Sequence, residues 1–201
     1  MAQLPQAKRG YIRGVRGLVV TRVNSDGTAD GAAVAYGIKT AQQVGIEVQA
    51  VDGEESVLRG GDKVLARVKD PATVVGVNLT VQDARFDAKA IQTLCGGTLI
   101  EVAEGADTRI NGWEAPSISD QQIPPYFKAE VYAVSHDARA GVEGYVKYTF
   151  PFCRAVGFGK ETLKDKEFAV PELTLEAMEN PSVTGGAYKK EFVAALPAEL
   201  S

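Results

Sequence analysis

Residues 76–102, GVNLTVQDARFDAKAIQTLCGGTLIEV, change periodicity twice, and this constrains the fold more than any other feature of the chain. Val77, Leu79 and Val81 alternate with Asn78, Thr80 and Gln82, the period of two of a strand with one buried and one wetted face. At Asp87 the pattern becomes helical. Asp87 has the side chain of a good N-cap, and Phe86 before it and Ile91 after it stand where a hydrophobic staple sets the angle at which a chain enters a helix. The spacing predicts a helix over residues 88–95, with Ala90, Ile91, Leu94 and Cys95 on one arc and Lys89, Gln92 and Thr93 on the other. Gly96 and Gly97 supply the left-handed stop, and residues 98–102 return to strand. A two-turn helix is not stable alone. It has to be held by something larger, and since most of the remaining chain reads as strand, that something is a sheet.

Taken in order, residues 1–16 mix Pro, Gly and basic side chains, residues 18–23 (LVVTRV) form a short strand, and residues 24–31 (NSDGTADG) read as an exposed loop or mobile arm. With only weak signals over 32–40, the first 40 or so residues are expected to be a flexible N-terminal segment. Val44, Ile46, Val48 and Ala50 mark a half-buried strand, and residues 64–68 look like its partner. Between them, residues 52–62 (DGEESVLRGGD) are too long and glycine-rich for a tight turn and predict a projecting loop, the kind that touches a partner. Residues 103–122 form a second irregular excursion that carries the only tryptophan, Trp113. Such a residue either covers the edge of a core or anchors a partner.

Further on, Phe127, Ala129, Val131 and Ala133 share one face of a strand, residues 136–144 turn, and residues 145–152 return antiparallel, with Pro151 marking an edge or a strand end. Residues 168–178 form a strand with Leu173, Leu175 and Ala177 inward and Glu172, Thr174 and Glu176 outward, and residues 187–194 form the last strand. About eight short strands and one helix predict a mainly β chain. The expected fold is an antiparallel β-sandwich or half-open barrel with one short flanking α-helix at about 88–95, in a single domain spanning 1–201.

The chemistry on offer is sparse. Ser135-His136-Asp137 has the residue types of a hydrolase triad, but sequence neighbours in a strand do not point at one another. His136 is the only histidine, which removes most zinc and general-base schemes, and no two carboxylates stand out as a glycosidase pair. Cys95 and Cys153 lack metal-ligand spacing and read as reduced packing residues. The Gly10, Gly14, Gly17 series does not follow a strand and open a helix, so it is no dinucleotide fingerprint. No catalytic residue, metal or cofactor is therefore expected. The formal net charge of -4 argues against a tight grip on nucleic acid but allows DNA to slide past. No secretory signal and no membrane-spanning run of ~20 apolar residues is present, so the chain is expected to be soluble, made in a cytoplasm and not inserted in a membrane. Glu47, Glu101, Glu172, Glu176 and Glu179 read as a solvated sheet face. In a ring of several copies the same carboxylates would form a negative wall that repels DNA phosphates.

The order of these features resembles the tail tube (major tail) proteins of tailed bacteriophages. The resemblance rests on the long-loop hairpin, the strand running into a short helix closed by Gly96-Gly97, the Pro124-Pro125 lead into a strand, and the late strand KEFAVPELTLEA followed by a closing strand, and it covers residues 44–196. It implies a β-sandwich that assembles into hexameric rings stacked into a tube, around a tape-measure protein and later the passing DNA. It also implies partners at the tail terminator and the tail tip or baseplate, and residence in the virion after assembly in the host cytoplasm. The inner sheets of neighbouring copies would join into one barrel, removing exposed edges. The loop carrying Asp52, Gly53, Glu54, Glu55, Arg59 and Asp62 would contact the adjacent ring, and Glu47, Glu172 and Glu176 would face the lumen. The alternative is a β-sandwich binding module that recognises carbohydrate or protein through residues 103–122, with Trp113 as anchor.

Overall fold

The computed structural model describes residues 10–85, 87–104, 107–117, 123–139, 141–156 and 159–201. Its elements are β1 (Tyr11–Arg22), β2 (Tyr36–Ile38), β3 (Ala41–Val51), β4 (Glu55–Gly60), β5 (Lys63–Lys69), β6 (Thr73–Asp83), α1 (Ala88–Cys95), β7 (Thr98–Glu104), β8 (Asp107–Glu114), β9 (Phe127–His136), β10 (Val142–Ala155), β11 (Glu172–Met178) and β12 (Lys189–Val193). The fold is mainly β: one large antiparallel sheet in the order β2-β1-β9-β10-β11-β6-β3, with β12 also on β10, and two separate two-stranded ribbons, β4–β5 and β7–β8.

The alternation read from the sequence is the alternation of burial. Phe127, Ala129 and Val131 of β9, Val77, Leu79 and Val81 of β6, and Leu175 and Ala177 of β11 all lie in one core. Each large aliphatic or aromatic side chain there contributes about 1.5–3 kcal/mol through burial. Leu18 and Val20 of β1 and Ile38 of β2 join the same core, although β1 and β6 are separated by three strands in the sheet order. The sheet therefore curls over until its two ends share one interior, and α1 is held against that interior by Ala90, Leu94 and Cys95. A smaller cluster on the back of the sheet joins Val19, Tyr132 and Leu200.

The helix has the predicted bounds. The Asp87 carboxylate accepts the Lys89 N–H at 2.9 Å, and the chain leaves the helix through Gly96 and Gly97, with φ of 78° and 85°. Phe86, the other half of the expected staple, lies outside the described residues.

Several expectations are corrected. The N-terminal segment is not flexible over Tyr11–Arg22 and Tyr36–Ile38: β1 pairs with β9 along its length and β2 closes on β1. The ladder slips between Arg13 and Val15 and again between Val15 and Gly17, and Gly14 takes φ +76°. Bulges of this kind break the alternation by which a strand is recognised. Residues 1–9 lie outside the described residues. The turn at 24–31 is docked, not free: Gly27 is buried at φ +81°, and Asn180 Nδ2 donates to its carbonyl at 3.0 Å. β3 pairs with β6, while residues 64–68 pair with β4. Pro151 is internal to β10. It sits where the β9 register skips from Phe150 to Cys153 and the outer partner changes from β12 to β11, a bulge position that tolerates a missing N–H. Finally, β11 begins at Glu172, and Phe168 is fully exposed.

Candidate assembly surfaces

The expected loop at 52–62 is an ordered arm. Gly61 (φ +62°) and Asp62 turn the chain between Gly60 and Lys63, and the base is closed by the Asp70 N–H on the Glu54 carbonyl at 3.0 Å. Asp52 and Gly53 sit at the base, Glu54, Glu55 and Arg59 along the first edge, and Asp62 at the tip. Every residue of β4 and β5 is exposed, and among the described residues the two strands pair only with each other.

The arm is two-faced. Ser56 pairs with Val68 and Leu58 with Ala66, so these four share a side. Leu65 is the extra residue at the register slip and lies over Gly60, where a Cβ would come 2.7 Å from Leu65 Cδ1. The opposite side carries Glu55, Val57, Arg67 and Lys69, with Arg67 Nε 2.7 Å from Glu55 Oε1. Leu58, Leu65 and Val68 are 61%, 65% and 62% exposed, an apolar face with no cover. The signal for this ribbon was present in the sequence: a two-residue Gly61-Asp62 turn between the apolar pairs Val57-Leu58 and Val64-Leu65 is a hairpin pattern.

β3 is a long strand with nothing paired on its outer side among the described residues. Val48 and Val51 on it, and Val74 and Val75 on the adjoining end of β6, are exposed. Long open edges of this kind invite pairing with another chain.

The three carboxylates singled out from the sequence come together on one face of one sheet. Asn78 of β6 stands opposite Glu47 of β3 on one side and Glu176 of β11 on the other, and Glu176 in turn stands opposite Arg154 of β10. Glu172 faces Gln82, whose Nε2 donates to Glu172 Oε2 at 2.8 Å. Glu101 belongs to the β7–β8 ribbon instead. Sequence reasoning missed Arg154, which donates to Glu176 Oε2 from Nε at 3.1 Å and from an Nη at 2.9 Å. These bonds to Glu176 raise the Arg154 pKa. Glu176 is thus paired with Arg154, and Glu172 stands directly opposite Lys160 in an isolated antiparallel bridge. Cross-strand register decides this, and register is not written in either strand alone.

Residues 103–122 are not wholly irregular, because Asp107–Glu114 is β8, paired with β7. Residues 105–106 and 118–122 lie outside the described residues. Trp113 is half-buried against the core, and its Nε1–H donates to the Gly96 carbonyl at 2.8 Å. It ties the ribbon to the C-terminus of α1.

Alongside α1, from Asp87 to Cys95, Ile38, Val81, Ile91, Leu94 and Leu173 line a cleft of about 60 Å³ between the helix and β11, with Asp83, Arg85 and Glu172 also among its lining residues. The Tyr36 hydroxyl donates to Asp87. Burial and that bond push the Tyr36 pKa up to about 12. Burial also works to raise the Asp87 carboxyl, but the bonds from Tyr36 and from the backbone of Lys89 and Ala90 outweigh it and hold the carboxyl below its ordinary value.

Ser135 is buried in β9, and the Asp137 carboxylate accepts the Arg139 and Gly141 N–H groups at 2.8 Å, so the Ser-His-Asp run is a strand end followed by a turn. Among the described residues no group of three or more His, Cys, Asp or Glu side chains is placed to hold a metal, and no helix is long and apolar enough to cross a membrane.

No family model matches the chain, and no curated protein matches it. Among solved structures, a chain of the anti-feeding prophage baseplate, determined by cryo-electron microscopy with 6-fold symmetrisation, overlaps it loosely. The match has 8% identity, covers 91% of this chain and 100% of that one, and has a TM-score of 0.37.

Proposed function

We propose that this chain is a structural, self-assembling subunit of the tail tube of a bacteriophage or a related injection particle, stacked as hexameric rings around a DNA-conducting channel. The observation that carries the reading is the β4–β5 ribbon, all of it exposed and apolar on one face. A lone two-stranded ribbon is marginal in water, and an uncovered apolar face marks a contact surface. The open β3 edge would let sheets of neighbouring copies join, and would thereby be hidden. Glu47, Glu172 and Glu176, on the polar face of the same sheet, would line the channel and repel phosphate.

Negative-stain electron microscopy of the purified chain over a concentration series, with light-scattering mass, tests this. Rings or tubes of uniform width are expected. Small globular particles alone under assembly conditions would refute it.

A further inference from the structure

Beyond β12 the chain crosses the back of the sheet. Residues 195–201 carry a 3-10 turn, Ala198–Leu200, and lay Leu196 and Leu200 against Val19 and Tyr132. The surface beneath is shaped for this segment. Val19 pairs with Gly37 and Gly17 with Tyr132, so these four residues stand together on one face. Neither glycine takes a positive φ, so what each supplies is room. A Cβ on Gly17 would come 2.7 Å from Leu200 Cδ2, and one on Gly37 would run into the Glu199 carbonyl. Beside them Lys39 Nζ donates to the Ser201 carbonyl oxygen at 2.6 Å.

The hold on this segment is of a different kind from the hold on the strands. Its backbone bonds are local, from the Leu200 N–H to the Pro197 carbonyl at 3.1 Å and from the Ser201 N–H to the Ala198 carbonyl at 3.3 Å, and among the described residues none joins it to the backbone of the sheet. None of its side chains belongs to the main core. A segment fixed by two side chains and one lysine opens while the sheet stays closed. We propose that residues 195–201 are a releasable strap, and that the seat under them is a docking site for a short peptide turn with two leucines four residues apart, filled by this chain's own Leu196 and Leu200 until an incoming segment of the same chemistry displaces them. The seat recognises backbone through its glycine floor, leucine through Val19 and Tyr132, and a carbonyl oxygen through Lys39. Strap and seat lie within one chain, so the inference stands apart from the assembly reading.

The test is made on the full chain with a fluorescein-labelled synthetic peptide of residues 194–201, read by anisotropy, and with hydrogen exchange read by mass spectrometry. In the unaltered chain the amides of Leu200 and Ser201 are expected to exchange before those of β1 and β9, and Leu200→Ser should speed their exchange while leaving the strands unchanged. The peptide should bind the Leu200→Ser chain about tenfold or more tighter than the unaltered chain, whose seat is open only a fraction of the time. A peptide carrying the same Leu200→Ser change should not bind. Gly37→Ala fills the floor without touching the main core, so it should release the strap and yet take up no peptide. Equal binding to the unaltered and Leu200→Ser chains would overturn the proposal. So would no binding to a Leu200→Ser chain whose strap exchanges fast, or strap amides that exchange only together with β1 and β9.

Discussion

Replacing Asp87 with alanine removes two separate supports of α1, and the cost of each can be worked out. The carboxylate caps the helix by accepting the Lys89 N–H, and loss of such a cap costs about 1 kcal/mol. It also accepts the Tyr36 hydroxyl, a bond that ties β2 to the helix start. Because that site is only part-buried, water replaces some of the lost bond, leaving a cost of about 0.5–1.5 kcal/mol. Together Asp87→Ala should destabilise the chain by about 2 kcal/mol, measured by urea unfolding followed through the emission of Trp113, which is anchored at the other end of the same helix. Tyr36→Phe should cost about 1 kcal/mol, and the double variant should cost less than the sum, because both single changes break one shared bond. Asp87→Asn should keep most of the cap.

The same residue sets a pH window. Its folded pKa lies below the ordinary 3.8, so the stabilisation is present above that value and is lost as pH falls through the folded pKa. The gap between wild type and Asp87→Ala should be constant from about pH 7 to 5 and close below about pH 4. A loss under about 0.3 kcal/mol, strict additivity with Tyr36→Phe, or a gap that widens in acid would refute the reasoning.

Leu175→Ala removes a fully buried side chain of the core that the curled sheet encloses, and should cost about 2–5 kcal/mol by urea unfolding; a cost below 1 kcal/mol would show that the core is not packed there as described. Gly97→Ala places a Cβ 2.3 Å from the Glu114 carbonyl oxygen and 2.7 Å from Trp113 Nε1, at φ +85°. The strained backbone alone costs about 1–2 kcal/mol, and β8 must shift as well, so a lower midpoint with a changed Trp113 emission spectrum is expected. Unchanged emission would count against the Trp113–Gly96 tie.

What the chain states locally was legible from its sequence. The bounds of α1 rest on Asp87, Gly96 and Gly97, all within a residue or two of the turns they control, and the buried faces of β6, β9 and β11 rest on a period of two that each strand carries by itself. The β4–β5 ribbon was legible too, from the Gly61-Asp62 turn, once glycine richness is not taken as irregularity. The tertiary structure decided which strands pair. β3 takes β6 and not residues 64–68, because register is settled by the partner that covers Val77 and Leu79, far along the chain. It also recruited Tyr11–Arg22 into the sheet through bulges at Gly14 that erase the local period, pinned Gly27 with Asn180, and set Arg154 against Glu176. These are contacts between residues distant in sequence, whose energy exists only once the sheet has curled, so no local pattern records them.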